Sequence, residues 1–168
     1  MIIIGIDPGT LHLGWGVIRA DGTRLVHLEH GVIHTKEPAI PGRLVEIDDA
    51  LQQVLARHAP GEGAVEALFF AKDPQAAAKL GHARGVAILR LMRAGIEIFE
   101  YPPARVKRAV AGRGQADKHQ VAMMIQATLA LRALPPADAA DALAVAVTHA
   151  RIHRMDVALR TGRVARTR

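Results

Sequence analysis

The chain has 168 residues, half of them apolar, and it contains no cysteine. That length suits a single domain with its own hydrophobic core, and the absence of thiols excludes disulfides and thiolate metal sites. No apolar run is long enough to cross a membrane, and an acid at position 7 comes too early for a signal peptide. We therefore expect a cytoplasmic protein whose metal sites would use carboxylates or histidines.

Basic charge is concentrated in the second part of the chain. Residues 1–104 carry 10 Lys and Arg against 12 Asp and Glu, whereas residues 105–168 carry 12 against 4, a net charge of +8. Such an asymmetry predicts a face for a polyanion, of which nucleic acid is the commonest. A solvated basic surface with no partner is the alternative.

The hydrophobic pattern predicts strands first and then alternating helices and strands. The β-branched run from Ile2 to Ile6 ends in the turn Asp7-Pro8-Gly9, and Asp21-Gly22 is a hairpin signal between strands over 13–18 and 24–33. A helical period begins at Pro41 and stops at Pro60. The remaining predicted elements are a strand over 64–70, a helix over 74–93, a strand over 96–101, and helices over about 104–110, about 117–131 and from 138 onward.

This order predicts an α/β, RNase H-like fold with a mixed five-stranded sheet flanked by helices. Residues 1–153 would form this one domain, and the basic residues 154–168, which have little periodicity, would form a disordered tail. The helix over 74–93 is rich in alanine and glycine, which permits close approach of another backbone. Both a dimer partner and the chain's own sheet could provide that backbone.

Four acids stand where this fold could bring them together. Asp7 ends one predicted strand, Glu66 lies on another, and Asp138 and Asp141 share one face at the start of the last helix. Carboxylates gathered in one place repel each other unless cations lie between them, and oxygen ligands favour Mg²⁺ or Mn²⁺. Paired ions in such a site hydrolyse phosphodiesters, one activating water and the other stabilising the leaving 3′ oxygen.

Each acid also has a simpler interpretation. Asp7 could cap its turn, Asp138 and Asp141 could be a helix cap and a favourable first-turn acid, and Glu66 could point outward from an edge strand. Spacing alone leaves both interpretations open.

Basic and aromatic residues near these acids are candidate DNA contacts. Phe69, Phe70 and Lys72 follow Glu66, and one of the two phenylalanines should face the core while the other could stack on an opened base. Arg113 stands between two glycines and could contact phosphate. Lys107 and Lys118 would by default be solvated surface lysines.

Five blocks in order resemble the RuvC family of junction resolvases over roughly residues 1–153. They are GIDPGTLHLGWGVI at 5–18, AVEALFFAK at 64–72, KLGHARGVA at 79–87, VKRAVAGRGQADKHQV at 106–121 and ADAADALAVAVTH at 137–149. The resemblance implies a homodimer that binds four-way junction DNA and resolves it in recombination and repair. Paired symmetric nicks would leave ligatable 5′-phosphate and 3′-hydroxyl ends. It also implies branch-migration partners of the RuvA and RuvB families.

The resemblance assigns roles to individual residues. It implies two Mg²⁺ or Mn²⁺ ions held by Asp7, Glu66, Asp138 and Asp141, although many relatives have histidine where this chain has Asp138. Phe69 matches an aromatic wedge, Lys107 and Lys118 match basic residues near the scissile phosphate, and Lys79 and Arg84 in the third block are further candidate DNA contacts. His12, His119 and His149 would at most support the ligands. Gly61-Glu62-Gly63 departs from the family pattern and predicts a late start for the strand carrying Glu66, and Ala67 replaces a polar residue.

Three other functions fit parts of the sequence. GIDPGT also occurs in actin-like and sugar kinase ATPases, but those need a duplicated core and a longer chain. A non-catalytic nucleic-acid binding module would not need four carboxylates. An RNase H-like nuclease for RNA–DNA hybrids or pre-16S RNA would share the acids and differ in substrate.

Overall fold

The computed structural model describes residues 1–67, 74–112 and 116–165. The strands are β1 (Ile2–Asp7), β2 (His12–Asp21), β3 (Arg24–His34), β4 (Glu62–Glu66) and β5 (Glu97–Tyr101). The helices are α1 (Ile40–His58), α2 (Pro74–Arg93), α3 (Pro103–Ala111), α4 (Lys118–Leu129) and α5 (Ala137–Ala165). In the part of the chain described here, no helix is long and apolar enough to cross a bilayer.

The five strands form one mixed sheet in the order β3-β2-β1-β4-β5. β1, β2 and β3 pair antiparallel, as the hairpin signal at Asp21-Gly22 predicted. β4 then pairs parallel with β1, and β5 pairs parallel with β4. The predicted α/β fold class is confirmed.

Helices cover both faces of the sheet, and alternation along β1 divides the core between them. Ile4 and Ile6 face α1 and α2, whose buried residues include Leu51 and Leu91. Ile3 faces the opposite layer, which is formed by α3, α4 and α5. Because side chains of a strand alternate between faces, Gly5 and Asp7 also lie on the α5 side.

Helix α5 lies directly against β1 and β2 because glycines leave room for its backbone. A methyl group at Gly5 would overlap the carbonyl oxygen of Ala142, and one at Gly14 would overlap the carbonyl oxygen of Asp138. Gly14 is the register partner of Asp7. The first turn of α5 is therefore held against the end of β1 that carries Asp7.

Two predicted boundaries differ from the structure. The prediction that the strand carrying Glu66 starts late is wrong, since β4 begins at Glu62 and places Gly63 against the side chain of Leu91. α5 continues as helix to Ala165, whereas the sequence predicted a disordered tail from residue 154. Residues 154–165 contain no proline and several good helix formers, so they can extend a helix that has already started. A domain boundary at residue 153 itself stays a prediction.

Candidate active site

β1 and β4 end side by side, which brings Asp7 next to Glu66. The parallel register pairs Gly5 with Ala64 and Ile6 with Val65, so the next residues along the two strands are neighbours. Both side chains are half-buried on the α5 face of the sheet. The two carboxyl groups are close enough for each to shift the pKa of the other.

The start of α5 adds the other two predicted acids. Asp138 and Asp141 lie in its first two turns, over the strand ends, and both are close enough to raise the pKa of Asp7. The structure therefore brings together Asp7, Glu66, Asp138 and Asp141, which we call the carboxylate cluster. The simpler interpretation, in which each acid caps its own turn or faces outward alone, does not explain this convergence.

Burial and mutual repulsion keep part of the carboxylate cluster protonated. Burial, followed by the charges of Glu66 and Asp141, raises the pKa of Asp7 to about 8. Burial and then Asp141 also raise the pKa of Glu66. At neutral pH a proton on Asp7 therefore partly relieves the repulsion, and divalent cations would relieve it more completely.

Lys118 balances the cluster from the start of α4. Its Nζ donates a hydrogen bond to Oδ2 of Asp141 at 2.9 Å, and Asp141 is the main cause of the raised pKa of Lys118. Asp117 fixes the position of this first helical residue, because it caps α4 and accepts a 2.8 Å hydrogen bond from the backbone N–H of Gln120. With 72% of its side chain exposed, Lys118 remains accessible to a ligand above the cluster.

Lys107 approaches the cluster from α3. It is half-buried and near enough to Glu66 to lower the pKa of that carboxyl. The two lysines predicted near the scissile phosphate thus both lie beside the acids. No local sequence pattern predicted that these lysines lie near the acids, since Lys118 and Asp141 are 23 residues apart.

The donor set of the carboxylate cluster fits hard divalent cations. It offers only carboxylate oxygens, which are partly withdrawn from water and carry more negative charge than two lysines neutralise. Mg²⁺ and Mn²⁺ prefer such ligands.

Other predicted site residues lie elsewhere or outside the described residues. Arg84 forms an ion pair with Glu100 on the α2 side of β5, and Lys79 is exposed on α2. Among the candidate histidines, His12 pairs with His34 at 2.9 Å, His119 is exposed on α4, and His149 is buried farther along α5. Phe69, Phe70, Lys72 and Arg113 lie outside the described residues.

Sequence reasoning missed one polar group on the same layer. Glu62, His149 and His153 place one ligand-type atom each within 4.8 Å of one another, and we call them the histidine cluster. The available signal was the i, i+4 spacing of His149 and His153, which places both on one face of a helix. Their partner Glu62 is 87 residues from His149, so sequence spacing gave no indication of it.

Comparison with known sequences gives one consistent result. The family model described as crossover junction endodeoxyribonuclease RuvC matches residues 3–149. The protein of that name from Sorangium cellulosum is 60% identical over 150 residues, which cover 89% of this chain and 84% of that protein. The one from Bradyrhizobium diazoefficiens is 49% identical and covers 94% of this chain and 90% of that protein.

Solved structures agree with the sequences. The structure described as T. thermophilus RuvC in complex with Holliday junction substrate has a TM-score of 0.85 and 39% identity, covering 93% of this chain and 96% of that one. The yeast mitochondrial Holliday junction resolvase, at 12% identity and a TM-score of 0.64, shares the fold; it covers 89% of this chain and 77% of that one. With a family model over most of its length and relatives at this identity, the chain belongs to the RuvC family of crossover junction endodeoxyribonucleases.

Proposed function

We propose that this protein resolves Holliday junctions as a metal-dependent endodeoxyribonuclease, making paired symmetric nicks in recombination and repair. The observation that carries the proposal is the carboxylate cluster at the adjoining ends of β1, β4 and α5, with Lys107 and Lys118 beside it. The junction-bound relative from T. thermophilus, whose fold this chain shares, supports the choice of substrate.

The carboxylate cluster would hold two Mg²⁺ or Mn²⁺ ions per active site. When bound, these ions would supply Lewis acidity toward water and toward the phosphodiester, giving 5′-phosphate and 3′-hydroxyl ends. Asp7 must give up its proton to act as a ligand, so loading is coupled to proton release. Asp138 stands where many relatives have histidine, and as a carboxylate it makes the site all-oxygen.

The two lysines would position the scissile phosphate. Lys118 already forms an ion pair with Asp141, and its exposed Nζ can exchange that partner for a phosphate oxygen when DNA arrives. Lys107, which lies on α3, would neutralise negative charge beside Glu66. Because both lysines would contact the DNA strand at the point of cleavage, they should influence cleavage more than overall junction affinity.

Two symmetric cuts require two active sites, and we propose that α2 supplies the dimer face. Leu89 and Met92, which lie on the same face of this helix, are 49% and 58% exposed, so they form apolar surface that a partner could cover. An added Cβ at Gly81 or Gly85 would meet nothing within 4 Å, so this face of α2 is open to a second backbone. Tight packing on the chain's own sheet uses the other face, where Ala83 and Ala87 are buried.

Several finer assignments remain predictions under this proposal. Base stacking by Phe69 or Phe70, phosphate contacts by Lys72, Lys79, Arg84 and Arg113, a cytoplasmic location, and partners of the RuvA and RuvB families each need their own test. Arg84 has the weakest case, because it is already paired with Glu100.

Comparing the cleavage of three nucleic-acid substrates tests the proposed function. A labelled four-way junction, a linear duplex of the same sequence and an RNA–DNA hybrid would be incubated with the protein and Mg²⁺ or Mn²⁺. We expect paired nicks at symmetric positions in the junction and no cutting of the other two substrates. Preferential cutting of the hybrid would instead indicate an RNase H-like nuclease that acts on RNA–DNA hybrids. Binding without cutting would indicate a non-catalytic nucleic-acid binding module.

A further inference from the structure

The histidine cluster lies on the same two elements as the carboxylate cluster but at a distance from it. Glu62 stands four residues before Glu66 on β4, about 13 Å away at the usual strand rise. His149 stands eight residues after Asp141 on α5, about 12 Å along the helix. The two groups are therefore separate sites.

His149 is held on both ring nitrogens. Its Nε2 lies 2.6 Å from Oε2 of Glu62, and its Nδ1 lies 2.7 Å from the hydroxyl of Tyr101. Phe99 stacks at 4.4 Å between ring centroids, and the His149 side chain is only 1% exposed. Because a tyrosine hydroxyl can either donate or accept, Tyr101 can accept a hydrogen bond from Nδ1–H, the tautomer in which the Nε2 lone pair can bind a cation in place of the contact with Glu62.

His153 and Glu97 complete the surroundings. His153 lies one turn beyond His149, with ring centroids 5.6 Å apart. Glu97 is the register partner of Glu62 across the β4–β5 pair, and its charge acts on His149. Burial lowers the pKa of His149, which keeps the imidazole neutral, the form that ligates metals.

We propose that Glu62, His149 and His153 form a second metal site, which binds a borderline divalent cation of the Zn²⁺ class. Two imidazoles and one carboxylate favour zinc over magnesium, and Glu97 or water would take the fourth position. Ligand atoms around tetrahedral zinc lie about 3.3 Å apart. The present atoms, 2.6 Å apart for one pair and all within 4.8 Å, reach that spacing by small movements of Glu62 and His153.

A cation in this site would tie α5 to β4. These elements also carry Asp141 and Glu66, so the second site would be structural, holding the frame on which the carboxylate cluster is built. This role goes beyond the proposed nuclease activity and does not depend on it.

Zinc titration of tag-free, metal-free protein tests the proposal. Competition against a chromogenic chelator, with millimolar Mg²⁺ present to occupy the carboxylate cluster, should give one Zn²⁺ per chain. Zinc at 100 times its dissociation constant should raise the melting temperature by about 5 °C or more. Co²⁺ in its place should give the visible absorption of a four-coordinate site with nitrogen and oxygen ligands.

Variants locate the zinc without removing the buried His149. His153→Asn and Glu62→Gln should weaken zinc binding about 100-fold, and Tyr101→Phe about 10-fold. Asp7→Asn, in the carboxylate cluster, and His34→Asn, in the exposed pair with His12, should bind zinc as the wild type does. Absence of one tight zinc per chain would overturn the proposal. So would unchanged binding by His153→Asn, or binding lost in Asp7→Asn or His34→Asn.

Discussion

The two polar clusters that α5 shares with β4 differ in how their charges are balanced. In the carboxylate cluster four acids face two lysines, and the pKa of Asp7 rises to about 8. In the histidine cluster Glu62 and Tyr101 hold the two nitrogens of His149 by hydrogen bonds. The first arrangement is strained in the free chain, whereas the second satisfies its own polar groups.

That difference indicates what each cluster is suited to bind. An all-oxygen group with excess negative charge gains most from hard dications and from the positive charge they bring to a phosphate. A group with two imidazoles gains from a borderline cation and mainly contributes rigidity. On this account α5 carries a catalytic metal site at its start, in the carboxylate cluster, and a structural metal site farther along, in the histidine cluster.

The largest effect should come from Asp7→Asn. Removing this carboxylate takes a ligand from the centre of the cluster, so we expect single-turnover junction cleavage to fall by about 1,000-fold or more. Junction binding, measured by mobility shift at fixed salt, should change little. Asp21→Asn, an exposed acid in the β2–β3 hairpin, serves as the matched control and should cut normally. Normal cutting by Asp7→Asn would mean that the metal assignment is wrong.

The packing of α5 against β1 should be disrupted by a single methyl group added at Gly5. Gly5→Ala would force the α5 backbone away from β1, and we expect a loss of about 3 kcal/mol of unfolding free energy in urea denaturation. Gly61→Ala, where an added Cβ meets nothing within 4 Å, should change stability by less than about 0.5 kcal/mol. Equal behaviour of the two variants would contradict the close approach that brings the acids together.

Lys118→Ala should separate catalysis from binding. We expect cleavage to fall by about 100-fold, because the lysine balances charge where the phosphate reacts, while junction affinity falls less than about threefold. Lys107→Ala should behave in the same direction. Arg24→Ala, which removes an exposed basic side chain at the opposite end of the sheet from Asp7, is the control. Equal loss of cleavage and binding would make these lysines ordinary phosphate contacts.

The smallest expected effect is on the pH dependence of folding stability in the metal-free protein. Because folding raises the pKa of Asp7 from 3.8 to about 8, the folded state holds a proton that the unfolded state releases. Stability is therefore highest below pH 4 for this group and declines as pH rises to about 8. Asp7→Asn should flatten this decline and raise the melting temperature at pH 8.5 by about 2–4 °C in calorimetry. A steeper decline in the variant would contradict the burial of a protonated Asp7.

Much of the fold could be predicted because its signals are local. The Ile2–Ile6 run, the Asp21-Gly22 turn and the helical period after Pro41 each identified an element, and their order identified the mixed sheet. Gly61-Glu62-Gly63 was misleading because its departure from the family pattern does not shorten β4, in which Gly63 makes room for Leu91. The helical continuation of α5 beyond residue 153 was missed for a related reason, since helix extension depends on what precedes it.

The site was predictable to the extent that family motifs mark its acids. Asp138 and Asp141 share a helix face by spacing alone, and both the predicted fold and the resemblance connected them to Asp7 and Glu66. The ion pair of Lys118 with Asp141 and the contact of His149 with Glu62 join residues 23 and 87 positions apart. Only the folded chain reveals such pairs, because no local pattern records which strand a helix will cross.

The most direct test is strand-resolved, single-turnover cleavage of a four-way junction by the wild type and by Asp7→Asn, with Mg²⁺, with Mn²⁺ and with chelator. We predict paired nicks at symmetric positions in two opposing strands, made by the wild type and only when metal is present. Cutting that persists in chelator or in Asp7→Asn, or a wild type that binds the junction in metal and never cuts it, would contradict a carboxylate-bound metal centre.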